Sequence, residues 1–127
     1  MNTKNTLQPN THLEASEKFV GKIISLENGI SKVTLIITSE MVVDKFGLAH
    51  GSFAFGLADY AAMLAINEPT VVLGKAEVKF IKPVILNDEV TAIASLAQPA
   101  RICFFGFRKT SIFPSTDKCA ILSEPIS

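Results

Sequence analysis

The chain has 127 residues, 48% hydrophobic and 19% charged, with 12 basic residues against 12 acidic ones. That length fits one domain with one sizeable core, and the high apolar fraction leaves surface to be buried between subunits. Balanced charge without a basic run speaks against nucleic acid as a partner, and no apolar stretch reaches the roughly 18–20 residues of a membrane span.

Residues 1–18, MNTKNTLQPNTHLEASEK, are polar and aperiodic. They predict a flexible N-terminal arm without a signal-peptide core, followed by a folded domain over residues 19–127. His12 lies in the arm and receives no role. Phe19–Leu26 and Lys32–Thr38 flank Asn28-Gly29, a strong hairpin signal. In the second of these strands Val33, Leu35 and Ile37 alternate with polar neighbours, as a half-buried strand requires.

A loop, Ser39–Ala49, leads into Gly51–Ile66, GSFAFGLADYAAMLAI, which is apolar on every side and carries one charge, Asp59. A helix with no polar face is buried. A carboxylate inside it must be paired, protonated or useful, because an isolated buried charge costs on the order of several kcal/mol. The helix begins at His50-Gly51, where free backbone N–H groups and the positive end of the helix dipole meet. It ends near Asn67-Glu68-Pro69.

The period then returns to two. Ala76, Val78 and Phe80 alternate with Lys75, Glu77 and Lys79. Pro83 interrupts the pattern and Asn87-Asp88 marks a turn. Glu89–Leu96, Arg101–Phe113 and Lys118–Ser123 read as the remaining strands. Two strands, one helix and four strands make an α+β layout, an antiparallel sheet curled around one buried helix. Cys103 and Cys119 lack metal-ligand spacing and read as buried free thiols, which fits a cytoplasmic location. Neither a glycine-rich phosphate loop nor a metal-ligand cluster is present in the sequence.

His50-Gly51-Ser52 followed by Leu57-Ala58-Asp59 is similar to the HGG…LAD signature of the phenylacetate-pathway type of acyl-CoA thioesterases. The separation of histidine and aspartate is the same, and Gly47 matches a family glycine. The segment AEVKFIKPVILND, residues 76–88, resembles the strand and turn that follow the helix in that family. The resemblance covers roughly Phe19 to Ser123. It implies the hotdog fold, an obligate dimer with shared sites, and coenzyme A thioesters as ligand or substrate without a separate cofactor. Pairing of dimers into tetramers stays open. Two positions depart from the pattern: Asp44 stands where the family commonly has asparagine, and Ser52 replaces the second glycine of HGG. The stretches FVGKIISLENGISKVTL and AEVKFIKPVILNDEVTAIA also look like the acyl-CoA-binding domain of the bacterial repressor of fatty-acid and phospholipid synthesis. That domain binds its ligand without chemistry, so a non-catalytic acyl-CoA sensor is the alternative to a thioesterase.

Gly51 and Asp59 stand eight residues apart, about 12 Å along one helix at roughly 1.5 Å per residue. A reacting atom must lie about 3 Å from both its oxyanion donors and its nucleophile or base. One subunit therefore cannot bring both to one carbonyl, whereas two antiparallel helices can. The backbone N–H groups of Gly51 and Ser52 would polarise the thioester carbonyl, and Asp59 of the other subunit would act as nucleophile or base. His50 would orient the loop or bond near the thioester oxygen, and Asp44 would take the substrate-positioning place of the family asparagine. Phe53 and Phe55 are candidates for the acyl tunnel, and Lys79 and Lys82 for the phosphates of coenzyme A.

Overall fold

The computed structural model describes residues 7–77, 83–97, 101–108, 111–112 and 119–125, with side chains for 7–74 and 83–96. In chain order the elements are α1 (Glu17–Val20), β1 (Lys22–Glu27), β2 (Ile30–Ile36), a 3-10 turn (Ser39–Met41) and α2 (Gly51–Ile66). They are followed by β3 (Val71–Glu77), β4 (Glu89–Ala97), β5 (Arg101–Arg108), β6 (Ser111–Ile112) and β7 (Cys119–Pro125).

The first hairpin forms around Asn28-Gly29, with Gly29 in the left-handed region at φ 82°. Strand β1 starts at Lys22 rather than Phe19, because Phe19 and Val20 belong to the short α1. Gly21, at φ 114°, makes the switch from helix to strand. In β2, Ser31, Val33 and Leu35 face inward, alternating with residues open to solvent, and β4 buries Val90, Ala92 and Ala94 in the same way. Both strands pack on α2, whose residues Leu57, Ala58 and Tyr60 to Ala65 are buried. The buried helix expected from its apolar circumference is thus present with the same limits, 51–66.

The sheet is antiparallel throughout, in the order β1-β2-β4-β5-β7-β3, with β6 paired to β5. Strand β3 follows α2 in the chain yet lies at the far end of this order, so the sheet must pass around the helix between β2 and β3. The single long strand expected over Arg101–Phe113 is instead divided, with β6 turned back on the end of β5. The strand expected over Lys75–Lys82 begins earlier, at Val71, and its part from Val78 to Lys82 lies outside the described residues. Cys103 and Cys119 fall on the paired strands β5 and β7, but their side chains lie outside the described set.

Residues 7–16 run along the domain. Leu7 N–H donates to Leu26 O at 2.6 Å, joining this segment to β1. Asn67, the residue that ends α2 at φ 57°, accepts from Asn10 N–H at 2.7 Å and donates from Nδ2 to Gln8 O at 3.1 Å. Thr11 is buried at 4% exposure, and Ala15 packs against the core.

Candidate functional site

The loop before α2 is built to present the helix start. Asp44 Oδ1 accepts from Phe46 N–H at 2.9 Å and Leu48 N–H at 3.1 Å, which tightens the turn at Gly47, φ 85°. Val42 bridges Ala49, and Val43 N–H donates to Leu48 O at 2.8 Å, so the loop closes as a small hairpin. That hairpin is tied to the segment before β4 by Ala49 N–H to Val84 O and Leu86 N–H to Gly47 O, each 2.8 Å. His50 N–H then donates to Met41 O at 2.9 Å and fixes the residue that caps α2.

His50 Nδ1 accepts from Ser52 N–H at 3.0 Å. This is the side-chain cap of a helix N-terminus, with a ring nitrogen in the place of the usual oxygen. Two consequences follow. With Nδ1 accepting, the proton of the neutral ring sits on Nε2, which remains a donor. Ser52 N–H, expected to face a substrate carbonyl, is already engaged, and Gly51 N–H is left without a partner among the described residues.

Asp59 lies on the partly uncovered stripe of α2 that runs through Ser52, Phe55 and Gly56. These positions recur at three- and four-residue steps and so share one helix face. Asp59 Oδ1 is buried and accepts no hydrogen bond among the described residues. Burial pushes the carboxyl above its ordinary range, and the charge of His12 pulls it back down. Outside the helix's own backbone, a Cβ added at Gly56 would meet no heavy atom of the described residues within 4 Å, so space is open about one helical turn before the acid. Phe53 is half-buried against the core with its ring 6.2 Å from that of Phe19, while Phe55 borders the open stripe.

The structure therefore brings His50, Gly51 and Ser52 together at the helix start and sets Asp59 further along the same helix. Asp44 lies in the loop, beside an open depression of about 360 Å³ lined by Val42, Phe46, Gly47, Ile85 and Leu86. That depression includes no residue of α2. Lys79 and Lys82 lie outside the described residues. Sequence reasoning passed over three residues near the candidate site. The His12 ring lies 6.3 Å from that of Tyr60, Asn67 holds the segment that carries His12, and Phe46 stands 79% exposed beside the loop. A histidine in a polar arm gives no periodic signal, so pattern alone could not have found it. Among the described residues there is no group of side chains arranged to hold a metal ion, and no helix long and apolar enough to cross a membrane.

No protein-family model matches the chain. Over 88 residues it is 43% identical to the methylthioribose-1-phosphate isomerase of Aquifex aeolicus, a match covering 69% of this chain but 19% of the isomerase. It is 35% identical over 118 residues to the transcription factor FapR of Staphylococcus haemolyticus, covering 88% of this chain and 63% of FapR. The chain thus spans less than two thirds of either relative. Among solved structures, uncharacterized protein PH1136 of Pyrococcus horikoshii is 40% identical with a TM-score of 0.87, covering 96% of this chain and 95% of that one. The PaaI protein of the Escherichia coli phenylacetic acid degradation operon follows the same fold at 23% identity and a TM-score of 0.70, over 84% and 79% of the two chains. A hypothetical thioesterase of Streptococcus pneumoniae, solved with coenzyme A, does so at 17% identity and a TM-score of 0.69, over 90% and 94%.

Proposed function

Because the chain belongs to the hotdog-fold superfamily, sharing its architecture with PH1136 and PaaI, we propose that it binds acyl-CoA as a homodimer and hydrolyses the thioester. The observation that carries this reading is the pair of features on α2: an N–H at Gly51 and a buried carboxylate oxygen at Asp59, neither with a partner among the described residues. The coenzyme A held by the Streptococcus pneumoniae protein of the same fold supports the ligand class.

The chemistry needs two subunits, since about 12 Å of helix separates the two features within one chain at roughly 1.5 Å per residue. With a second α2 packed antiparallel over the open stripe, crossing near Phe55 beside the open space at Gly56, each Asp59 would meet the Gly51 of the other subunit. Edge strand β3 offers a place for the sheets to pair. Asp59 takes a proton from water, and the water oxygen bonds to the thioester carbonyl carbon. The carbonyl oxygen, now an oxyanion, accepts from Gly51 N–H, the kind of donor typically worth roughly 2.7–4 kcal/mol of barrier. Collapse breaks the carbon–sulfur bond, the thiolate takes up a proton, and a carboxylic acid and a thiol leave. His50 Nε2–H is a further donor near the oxyanion, and Phe55 borders the path of the acyl chain.

A non-catalytic acyl-CoA sensor is the second reading, supported by FapR, a transcription factor with a matching segment. That relative also leaves nucleic acid open as a partner of a larger assembly, against the expectation from charge balance. One experiment separates the readings: thiol release and equilibrium binding measured on the same set of short, long and aryl acyl-CoAs. Turnover is expected, and Asp59→Asn is expected to lower it by about a hundredfold or more with little change in affinity. Tight binding without thiol release selects the sensor.

A further inference from the structure

The described sheet has two ends, β1 and β3, and the N-terminal segment covers one of them. In β1, Glu27 opposite Ile30 closes the hairpin turn, and Leu26 opposite Ser31 is the next pair back. Successive pairs of such a ladder alternate, so the N–H and C=O of Leu26 point away from β2, to the free side of the edge. Leu7 N–H occupies that side and donates to Leu26 O at 2.6 Å. From there the chain crosses to the end of α2, where Asn67 holds Gln8 O and Asn10 N–H, and descends one flank of the helix. The His12 ring lies 6.3 Å from that of Tyr60 and the Phe19 ring 6.2 Å from that of Phe53. Gly21 sits so close that a Cβ there would stand 2.8 Å from Leu57 Cδ1. Asn67, Tyr60, Leu57 and Phe53 recur at steps that place them on one face of α2. Thr11 is buried, Ala15 packs on the core and Lys18 pairs with Glu40. At the other end, β3 has β7 as its one pairing strand among the described residues, and its Val72 is 44% exposed.

We propose that residues 7–21 are an edge guard: docked along α2 of their own chain, they close β1 to strand pairing and leave β3 as the edge that meets a second copy, so that pairing between sheets stops at two chains. The inference rests on the homodimer of the proposed function and names what limits it. An unguarded edge is a row of unpaired N–H and C=O groups that templates another strand. With both ends open, β1 of one copy could pair with β3 of the next, a head-to-tail contact that always leaves a free edge and does not close. With β1 covered, the pairing left is β3 on β3, the same patch on both chains, which is complete after two. The cover is a loop and the four-residue α1 rather than a further strand, so it satisfies Leu26 O without offering a new edge in its place. Ile24, 49% exposed at the irregular step between Ile23 and Ser25, is the part of β1 that the guard leaves in view.

The test is sedimentation velocity over a concentration series on the full chain: wild type, Leu7→Pro/Asn67→Gly, and the same pair with Ile24→Lys added. Proline has no N–H to give Leu26 O, and glycine keeps the left-handed end of α2 while removing the side chain that holds Gln8 and Asn10. Lysine on an edge strand disfavours pairing. Release is read separately by hydrogen exchange at Ala15 N–H, which bonds His12 O and is touched by neither change. It is expected to exchange about tenfold faster or more, with the circular dichroism spectrum unchanged. Wild type is expected to stop at a dimer, the released variant to add species larger than a dimer that grow with concentration, and Ile24→Lys to return it to the dimer. A variant that exchanges faster at Ala15 yet stops where wild type stops overturns the guard. Unchanged exchange at Ala15 overturns the fastening by Leu7 and Asn67. Larger species that persist with Ile24→Lys arise through another surface and overturn the assignment to β1. Should the double variant lose its spectrum, Leu7→Pro alone decides by the same criteria, since Leu7 is exposed and outside the core. If wild type sediments as a monomer while the released variant still grows, the homodimer reading fails and the guard stands.

Discussion

Asp59, the acid of the proposed reaction, stands against the stability of the fold around it. Its carboxyl is held above the ordinary value of 3.8 because burial penalises the charged form. For such an acid the unfolded chain ionises first as pH rises. Its contribution to stability is therefore most favourable below the unfolded midpoint and declines until pH passes the folded one. Asp59→Asn removes that decline, and an amide is less costly to bury than a charge. At neutral pH the variant is expected to melt at a higher temperature than wild type. The gap should close as pH is lowered through the folded midpoint toward the unfolded one. Thermal unfolding at a series of pH values checks this, and a variant less stable at pH 7 would show that the charge is better compensated than burial implies. The same substitution is expected to abolish most turnover, the trade that active-site acids commonly impose.

At the scale of elements, the junction of α1 and β1 decides how closely the hairpin approaches the helix. A Cβ at Gly21 would stand 2.6 Å from Val33 Cγ1, 2.8 Å from Leu57 Cδ1 and 3.0 Å from Thr34 O. The backbone there is also at φ 114°, a region that side-chain-bearing residues rarely adopt. Gly21→Ala is therefore expected to destabilise the fold by about 1–3 kcal/mol or more, from overpacking and strain together. Urea unfolding monitored by circular dichroism provides the measurement, and a change below about 0.5 kcal/mol, the range of neutral surface substitutions, would show that the junction relaxes. The loop before α2 obeys a similar logic. Asp44, marked by the resemblance as a substrate-positioning residue, spends Oδ1 on Phe46 N–H and Leu48 N–H, so its first effect is to shape the turn that delivers His50.

For the whole molecule the open stripe on α2 is the feature to explain. Eight residues of the helix are buried, yet Phe55, Gly56 and Asp59 are half-open, and no described residue outside the helix backbone comes within 4 Å of a Cβ at Gly56. A second α2 crossing at Gly56 would fill that space. Gly56→Leu tests the arrangement, since the Cβ of the new side chain meets no heavy atom of the described residues within 4 Å and leucine favours helix over glycine by on the order of 0.5–1 kcal/mol. The variant is expected to sediment as a monomer with an unchanged helical spectrum and to lose thiol release. An active Gly56→Leu dimer would refute helix-to-helix packing at this position.

The limits of α2, the inward faces of β2 and the Asn28-Gly29 turn were all legible in the sequence, because each depends on neighbours a few residues away. Apolar circumference, alternation and turn chemistry are local signals. Of the candidate site, the sequence showed the positions: His50 caps α2, Gly51 opens it and Asp59 lies further along it. Tertiary structure decided the rest. Only folding shows that Ser52 N–H is taken by His50 Nδ1, that β3 lies at the far end of the sheet, and that Arg101–Phe113 breaks into two paired strands. The contact that ties the N-terminal segment to the end of α2 depends on Asn10 meeting Asn67 across 57 positions of sequence. No period or motif encodes such a meeting. It is set by where the chain returns once the sheet has closed around the helix, and a hydrogen bond of that span exists only in the folded molecule.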